Sequence, residues 1–112
     1  MIVKLPNAEN AIIASDKLTD YLLSRSHLIG RWKVRFFASI GFSETRVDEL
    51  KNALIDVAKN GEVKATIRTD FGVKYVVEGV ISGPSGRRAV ILTVWFIKTG
   101  QDRPRLITAY PL

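Results

Sequence analysis

The last segment of the chain carries polar side chains that could act on a phosphate. Arg105-Leu106-Ile107-Thr108-Ala109-Tyr110-Pro111 is rich in β-branched and aromatic residues, which predicts a strand closed by a proline. Arg105 and Thr108 add a cation and a hydroxyl, the kind of pair that holds a phosphodiester in metal-free phosphate chemistry. The alternative is an edge strand whose polar positions face water. The direction of Thr108 depends on a register that the preceding turn, residues 99–104, does not fix.

The second segment that could bind a phosphate is a basic stretch near the middle of the first half of the chain. No acidic residue lies between Asp20 and Glu44, and this stretch carries Arg25, His27, Arg31, Lys33 and Arg35. It is either a solvated basic helix face or a phosphate-binding patch. Lys33 falls within the apolar arc of a predicted helix, either snorkelling from the first turn or held as a cation at a cleft edge. The N-terminal amides of that helix would point at the same anion.

His27 and two aromatic residues complete the set of candidates. His27 is the single histidine, so it is a candidate general acid or base, and the alternative is a solvated loop residue. Trp95 either stacks on a base or belongs to the core, and Tyr110 either stacks or seals the sheet. The predicted catalytic residues are His27, Lys33, Arg105, Thr108 and Tyr110. The predicted substrate-binding residues are Arg31, Arg35 and Trp95.

The elements that must position these side chains are helices in the first half of the chain and strands in the second. The predicted helices run from Ser15 or Asp16 to near Ser24, from about residue 31 to 40 before Gly41, and from a cap at Ser43 or Thr45 to Gly61. The predicted strands cover residues 62–68, 74–81, 88–98 and 105–110, and the short turns between them imply an antiparallel meander. We therefore predict a single α+β domain over residues 1–112, with three N-terminal helices packed on one face of a four-stranded antiparallel meander sheet.

Hairpin geometry assigns the two faces of the predicted sheet. A four-residue loop over residues 83–86 puts Ile81 opposite Arg88. The predicted core face then carries Ile67, Tyr75, Val77, Ile81, Val90, Leu92, Val94 and Phe96. The other face carries Lys64, Thr66, Arg68, Lys74, Glu78, Thr93 and Trp95, which makes it mixed, basic and partly aromatic.

The composition narrows the classes of partner. A net charge of +6 favours anionic partners. The absence of cysteine and the single histidine argue against a metal site, and no cofactor is expected. No apolar run approaches the roughly 18 residues of a membrane span, so no membrane partner is expected. The N-terminus lacks the pattern of a signal peptide, which makes the cytoplasm the expected location.

Several segments of the chain resemble a known family pattern. They are Leu5-Pro6-Asn7, Gly30-Arg31-Trp32-Lys33, Phe36-Phe37, Gly41-Phe42, Val94-Trp95 and Thr108-Ala109-Tyr110-Pro111. Together they resemble a family of similarly short, uncharacterised bacterial proteins over essentially the whole chain. More distantly, a His/Lys segment before a four-stranded sheet ending in Thr-Ala-Tyr-Pro resembles the metal-independent ribonuclease toxin domains of the barnase/EndoU/colicin/RelE-like fold.

That second resemblance implies a substrate on the sheet face away from the helices. It implies a site containing His27, Lys33, Arg105, Thr108 and Tyr110. The chain has no second histidine, so the partner of His27 would be Lys33, Tyr110 or a carboxylate such as Glu78.

Three functions are open on this basis. The first is a metal-independent endoribonuclease or toxin-like domain that binds RNA phosphates on the sheet face. The second is a non-catalytic module that grips a partner protein, as a toxin–antitoxin or immunity partner would. The third is nonspecific nucleic-acid binding, with an affinity that falls steeply with salt and survives the loss of His27.

Overall fold

Four strands form an antiparallel sheet whose order follows the chain. The computed structural model describes residues 3–14, 36–42 and 47–112. The strands are β1 (Glu62–Thr69), β2 (Gly72–Ser82), β3 (Arg88–Lys98) and β4 (Arg105–Pro111), in the order β1-β2-β3-β4. The meander that short turns imply is therefore present, with β1 and β4 at its two edges.

In the described part of the chain, an α-helix packs against the sheet. This helix, α1 (Val47–Asn60), buries Leu50, Leu54, Val57 and Ala58, which lie on one stripe at spacings of four, three and one. A Cβ placed on Gly79 of β2 would lie 2.9 Å from a methyl carbon of Val57. The glycine therefore allows α1 to approach β2 closely, and it identifies the face of β2 that meets the helix.

The prediction of three helices on this face is wrong. In the described part of the chain there is one α-helix of 14 residues, a 3-10 helix at Ala8–Asn10, and a helical turn over residues 36–39. Strands account for more of the described chain than helices do. The first predicted helix, and the start of the second up to residue 35, lie outside the described residues. None of the described helices is long and apolar enough to cross a membrane.

Segments with little regular secondary structure cover much of the sheet face that helices were predicted to cover. Asn7 has a left-handed backbone with φ of 54°, so the chain turns there, immediately before the 3-10 helix. The segment over residues 3–14 still buries apolar side chains, as does the segment over residues 36–42. Their buried residues are Leu5, Ala8, Ile13, Phe37, Ile40 and Phe42.

The predicted pairing of β2 with β3 is wrong by one residue. Ser82, not Ile81, lies opposite Arg88, because the connection between the two strands, residues 83–87, has five residues rather than the predicted four. Since side chains alternate between faces, this shift moves every side chain of β3 to the other face. Ile91, Thr93 and Trp95 are buried against α1, whereas Val90, Leu92, Val94 and Phe96 were predicted there and lie on the opposite face.

Candidate functional site

A β-bulge in β4 brings Arg105 and Thr108 to the same face of the sheet. Residues three apart in a regular strand point to opposite faces. Here Val94 pairs with Thr108 and Trp95 pairs with Leu106, which leaves Ile107 as the extra residue. Leu106 is consequently buried in the core. Arg105 is exposed on the opposite face, and Thr108 is half-buried there.

On the face away from α1, called the outer face below, three cross-strand rows of side chains extend over β2, β3 and β4. The first row contains Lys74, Phe96 and Arg105, the second contains Val76, Val94 and Thr108, and the third contains Glu78, Leu92 and Tyr110. Strands in a sheet are about 4.8 Å apart, so the side chains within a row are immediate neighbours. Three of the predicted catalytic residues, Arg105, Thr108 and Tyr110, therefore succeed one another along the edge strand.

A depression lies at the Arg105 end of this face. Its volume is about 300 Å³, and Phe96, Lys98, Gln101 and Arg105 line it. The lining combines an aromatic ring, two cations and an amide, a set that suits a base and its phosphate. Phe96, Lys98 and Gln101 were not predicted as site residues from the sequence. A correct register was the missing signal, because Phe96 was assigned to the core and Lys98 to no site.

The N-terminal segment holds the β4 end of the depression in place. Ile12 pairs with β4 in parallel: its N–H donates to Pro104 O at 2.8 Å, and its carbonyl accepts from Leu106 N at 3.0 Å. Asn7 Nδ2 donates to Asp102 O at 2.8 Å, and Arg103 Nε donates to Asn10 O at 2.9 Å. The turn that carries Gln101 and leads into Arg105 is therefore tied to residues 3–14.

Trp95 lies on the other side of the sheet, so the face predicted for it was wrong, and of its two alternatives the core position is the one observed. Its side chain is 0% exposed, and its Nε1 donates to Thr93 Oγ1 at 2.7 Å. A ring in this position belongs to the core and cannot stack on a ligand at the outer face. Phe96, the next residue along β3, occupies the position that the prediction gave to Trp95.

Four of the predicted residues lie outside the described residues: His27, Arg31, Lys33 and Arg35. Their proposed approach to β4 stays a prediction. Glu78, named as a possible partner of His27, lies on the outer face in the row of Tyr110.

Charge is distributed unevenly across the outer face. On the β1 side, Lys64 Nζ lies 3.2 Å from Glu62 Oε2 and 3.7 Å from Glu78 Oε2. The hydrogen bond and charge of Glu62, followed by the charge of Glu78, raise the pKa of Lys64 above its ordinary value. Lys64 thus compensates these carboxylates, whereas the depression near β4 has two cations and no carboxylate in its lining. Within residues 3–14, 36–42 and 47–112, no group of three His, Asp or Glu side chains could hold a metal ion.

Comparison with known proteins identifies the family. A model described as a domain of unknown function, DUF6883, matches residues 4–112. The chain belongs to the DUF6883 family. This agrees with the resemblance that the sequence pattern indicated. No curated protein matches the DUF6883 chain.

A solved structure has a similar fold. It is a chain of the contact-dependent growth inhibition toxin–immunity protein complex from Klebsiella pneumoniae 342, with a TM-score of 0.72 and 19% sequence identity. The alignment covers 93% of the DUF6883 chain and 95% of that chain. At this identity the likeness is one of fold.

Proposed function

We propose that this DUF6883 protein is a toxin-type domain that binds RNA on its outer face and cleaves it without a metal ion. The observation that carries the proposal is the β4 bulge, because it aims Arg105 and Thr108 at one side of the sheet. Bulges are common beside active sites, where they redirect a side chain. The similar fold of a chain from a toxin–immunity protein complex adds support.

In the proposed reaction, the 2′-hydroxyl oxygen attacks the adjacent phosphorus and the bond to the 5′-oxygen breaks. His27 takes the 2′-proton or supplies the proton that the 5′-oxygen needs, and Tyr110 or Glu78 serves as its counterpart. Arg105 stabilises the charge that develops on the phosphate oxygens, together with Lys33. Thr108 donates its hydroxyl to a phosphate oxygen. The products are a 2′,3′-cyclic phosphate and a 5′-hydroxyl.

Cleavage of RNA in the presence of a chelator tests this proposal. We expect Arg105→Ala and His27→Ala to lower the rate by roughly a hundredfold or more, the usual effect of losing a charge stabiliser or a proton-transfer group. Arg87→Ala is the matched control, because it removes the same charge from the exposed loop at the opposite end of the sheet. RNA left intact by the wild type, or equal rates for Arg105→Ala and Arg87→Ala, would rule the proposal out.

The apolar end of the outer face favours a second function, a module that binds a partner protein. Val80 and Val90 are 58% and 45% exposed and lie opposite each other on β2 and β3. A paired apolar patch of this kind is a common feature of protein-binding surfaces. Co-purification with the product of a neighbouring gene, and its loss in Val90→Asp, would support this function. If the wild-type protein and that product are mixed and elute separately, this function is contradicted.

A further inference from the structure

Phe71 is an aromatic side chain that the fold does not bury. It lies in the turn between β1 and β2 and is 77% exposed. The turn is held by other groups: Phe71 N donates to Thr69 Oγ1 at 3.2 Å, and Thr69 Oγ1 donates to Gly72 O at 3.0 Å. The carbonyl of Phe71 accepts from Thr99 N at 2.9 Å. Its backbone is therefore fixed while its ring contributes little to the core.

The turn lies at the same end of the sheet as the depression. Gly72, which follows Phe71, pairs with Lys98, one of the lining residues. A Cβ on Gly72 would lie 2.8 Å from Cζ of Phe96, so the ring of Phe96 reaches over a position that only glycine leaves open. Phe71 thus precedes the residue that pairs with Lys98 and adjoins the depression without lining it, whereas Phe96 lies on the outer face two residues before Lys98.

This combination of groups matches the chemistry of an unpaired nucleotide. Every base has an apolar face that stacks on aromatic rings, and the cations Lys98 and Arg105 suit its phosphate. Gln101 offers both a donor and an acceptor to the edge of a base. In a duplex the faces of the bases are covered by their neighbours, so a duplex offers an exposed ring nothing to stack on.

The surrounding charges agree with an anionic ligand. Asp70 and Asp102 lie in the two turns that flank the depression and are not among its lining residues. Lys74 extends the row of Phe96 and Arg105 on the outer face and adds a third cation. A phosphate between Lys98 and Arg105 therefore meets net positive charge.

We propose that Phe71, Phe96, Lys98, Gln101 and Arg105 form a subsite for an unpaired nucleotide of single-stranded RNA. The inference rests on the proposed function in taking RNA as the ligand, and it deepens that function by naming the substrate class. Phe71 supplies a stacking surface beside the bound phosphate. It thereby makes binding depend on whether the RNA is unpaired.

Binding of two RNAs of the same sequence, one single-stranded and one paired in a duplex, tests the subsite. Both carry 2′-O-methyl groups, so the 2′-oxygen cannot attack the phosphate during the measurement. We expect Phe71→Leu, which keeps an apolar side chain without the ring, to weaken single-strand binding about five- to tenfold. Phe71→Trp should bind at least as well as the wild type, and duplex binding should be the same in all three proteins. Leu112→Ala, an exposed residue after the end of β4 that is far from the depression, is the control and should change neither.

The outcomes separate this inference from the proposed function. If Arg105→Ala weakens binding while Phe71→Leu binds single strands like the wild type, the subsite is wrong and RNA binding stands. If the wild type binds neither RNA, both are wrong. Equal losses in Phe71→Leu and Phe71→Trp, or an equal loss for the duplex, would exclude stacking. If Phe71→Leu binds RNA normally and loses only the capture of a neighbouring gene's product, Phe71 is a protein contact and the subsite is wrong.

Discussion

Thr93 and Trp95 form a buried polar pair at the centre of the sheet. Trp95 Nε1 donates to Thr93 Oγ1 at 2.7 Å, and Thr93 Oγ1 in turn donates to Val77 O at 3.1 Å. The hydroxyl is thus used as both acceptor and donor, and the indole N–H has the partner that burial requires. This chain of bonds links β3 to β2. It therefore favours the register in which Trp95 faces α1 and Phe96 faces outward.

Replacing Thr93 with Val should destabilise the protein because the indole N–H then stays buried without an acceptor. We expect the free energy of unfolding to fall by about 1–3 kcal/mol. In a Trp95→Phe background the same change should cost much less, because no indole donor remains. Urea unfolding of the four proteins in this cycle gives the coupling energy. An equal cost of Thr93→Val in both backgrounds would contradict the stabilising role of the bond.

At the scale of the strand, the extra residue in β4 allows one segment to supply side chains to both the core and the outer face. The core requires Leu106 and Ala109, which are both buried, and the outer face receives Arg105 and Thr108. Each pair is three residues apart, so a regular alternation through Ile107 could not satisfy either. The bulge solves this by leaving Ile107 out of the pairing, and it adds local twist beside Arg105.

Deleting Ile107 should preserve the fold and weaken RNA binding. The shortened strand alternates without interruption, with Arg105 and Thr108 still outward and Leu106 still inward. We therefore expect a thermal midpoint at or above that of the wild type. The twist that the bulge adds is lost, so Arg105 turns relative to Thr108 and affinity for RNA falls.

Thermal unfolding and oligonucleotide binding measure the two effects of this deletion. Ile107→Ala keeps the bulge and serves as the matched control, with binding close to that of the wild type. A deletion variant that binds RNA normally would mean that the twist added by the bulge does not position Arg105.

Turn chemistry and apolar patterning in the sequence predicted four strands, their order and most of their bounds. The faces of β3 could not be predicted from the same signals. Ile91 to Phe96 is apolar on both faces apart from Thr93, so a one-residue shift leaves a plausible core either way. The loop after Ser82 decides between them: Gly83 N donates to Arg87 O at 2.9 Å, which closes a five-residue connection. The tryptophan was consequently assigned outward and the phenylalanine inward.

Only some residues of the candidate site were predicted from the sequence, for a related reason. Arg105, Thr108 and Tyr110 were identified as candidates because polar residues interrupt an otherwise apolar strand. Lys98 joins them through the register of β3, and Gln101 only through the folding of the turn over residues 99–104. That turn is set by contacts with residues 3–14, which are distant in sequence and carry no periodic pattern.

Across the whole molecule, residues 3–14 connect the two edges of the sheet. Val3 O accepts from Val63 N at 2.8 Å on β1, and Ile12 pairs with β4 at the opposite edge. Between these points the segment lies on the α1 side, where Leu5 and Ala8 are buried in the core. The segment therefore couples the position of β4, and of the depression beside it, to the rest of the fold.

Two substitutions of Asn7 test this coupling. Glycine adopts the left-handed backbone of Asn7 without strain but cannot donate to Asp102 O. Asn7→Gly should therefore lower the free energy of unfolding by about 0.5–1.5 kcal/mol. Asn7→Ala loses the same bond and is also strained at a φ of 54°, so it should cost roughly 1 kcal/mol more. Urea unfolding measures both costs.

We expect both substitutions of Asn7 to lower the affinity for RNA, although Asn7 lies outside the depression. With the bond to Asp102 removed, the turn that carries Gln101 opens more often, and the amides of Ile12 and Leu106 should exchange their hydrogens faster. Single-strand affinity should fall with that exchange, because a mobile Arg105 must be ordered again on binding. Leu112→Ala, an exposed residue at the far end of β4, is the control and should alter neither. Faster exchange at both amides with unchanged affinity would mean that ligand binding at the depression does not depend on the connection made by residues 3–14.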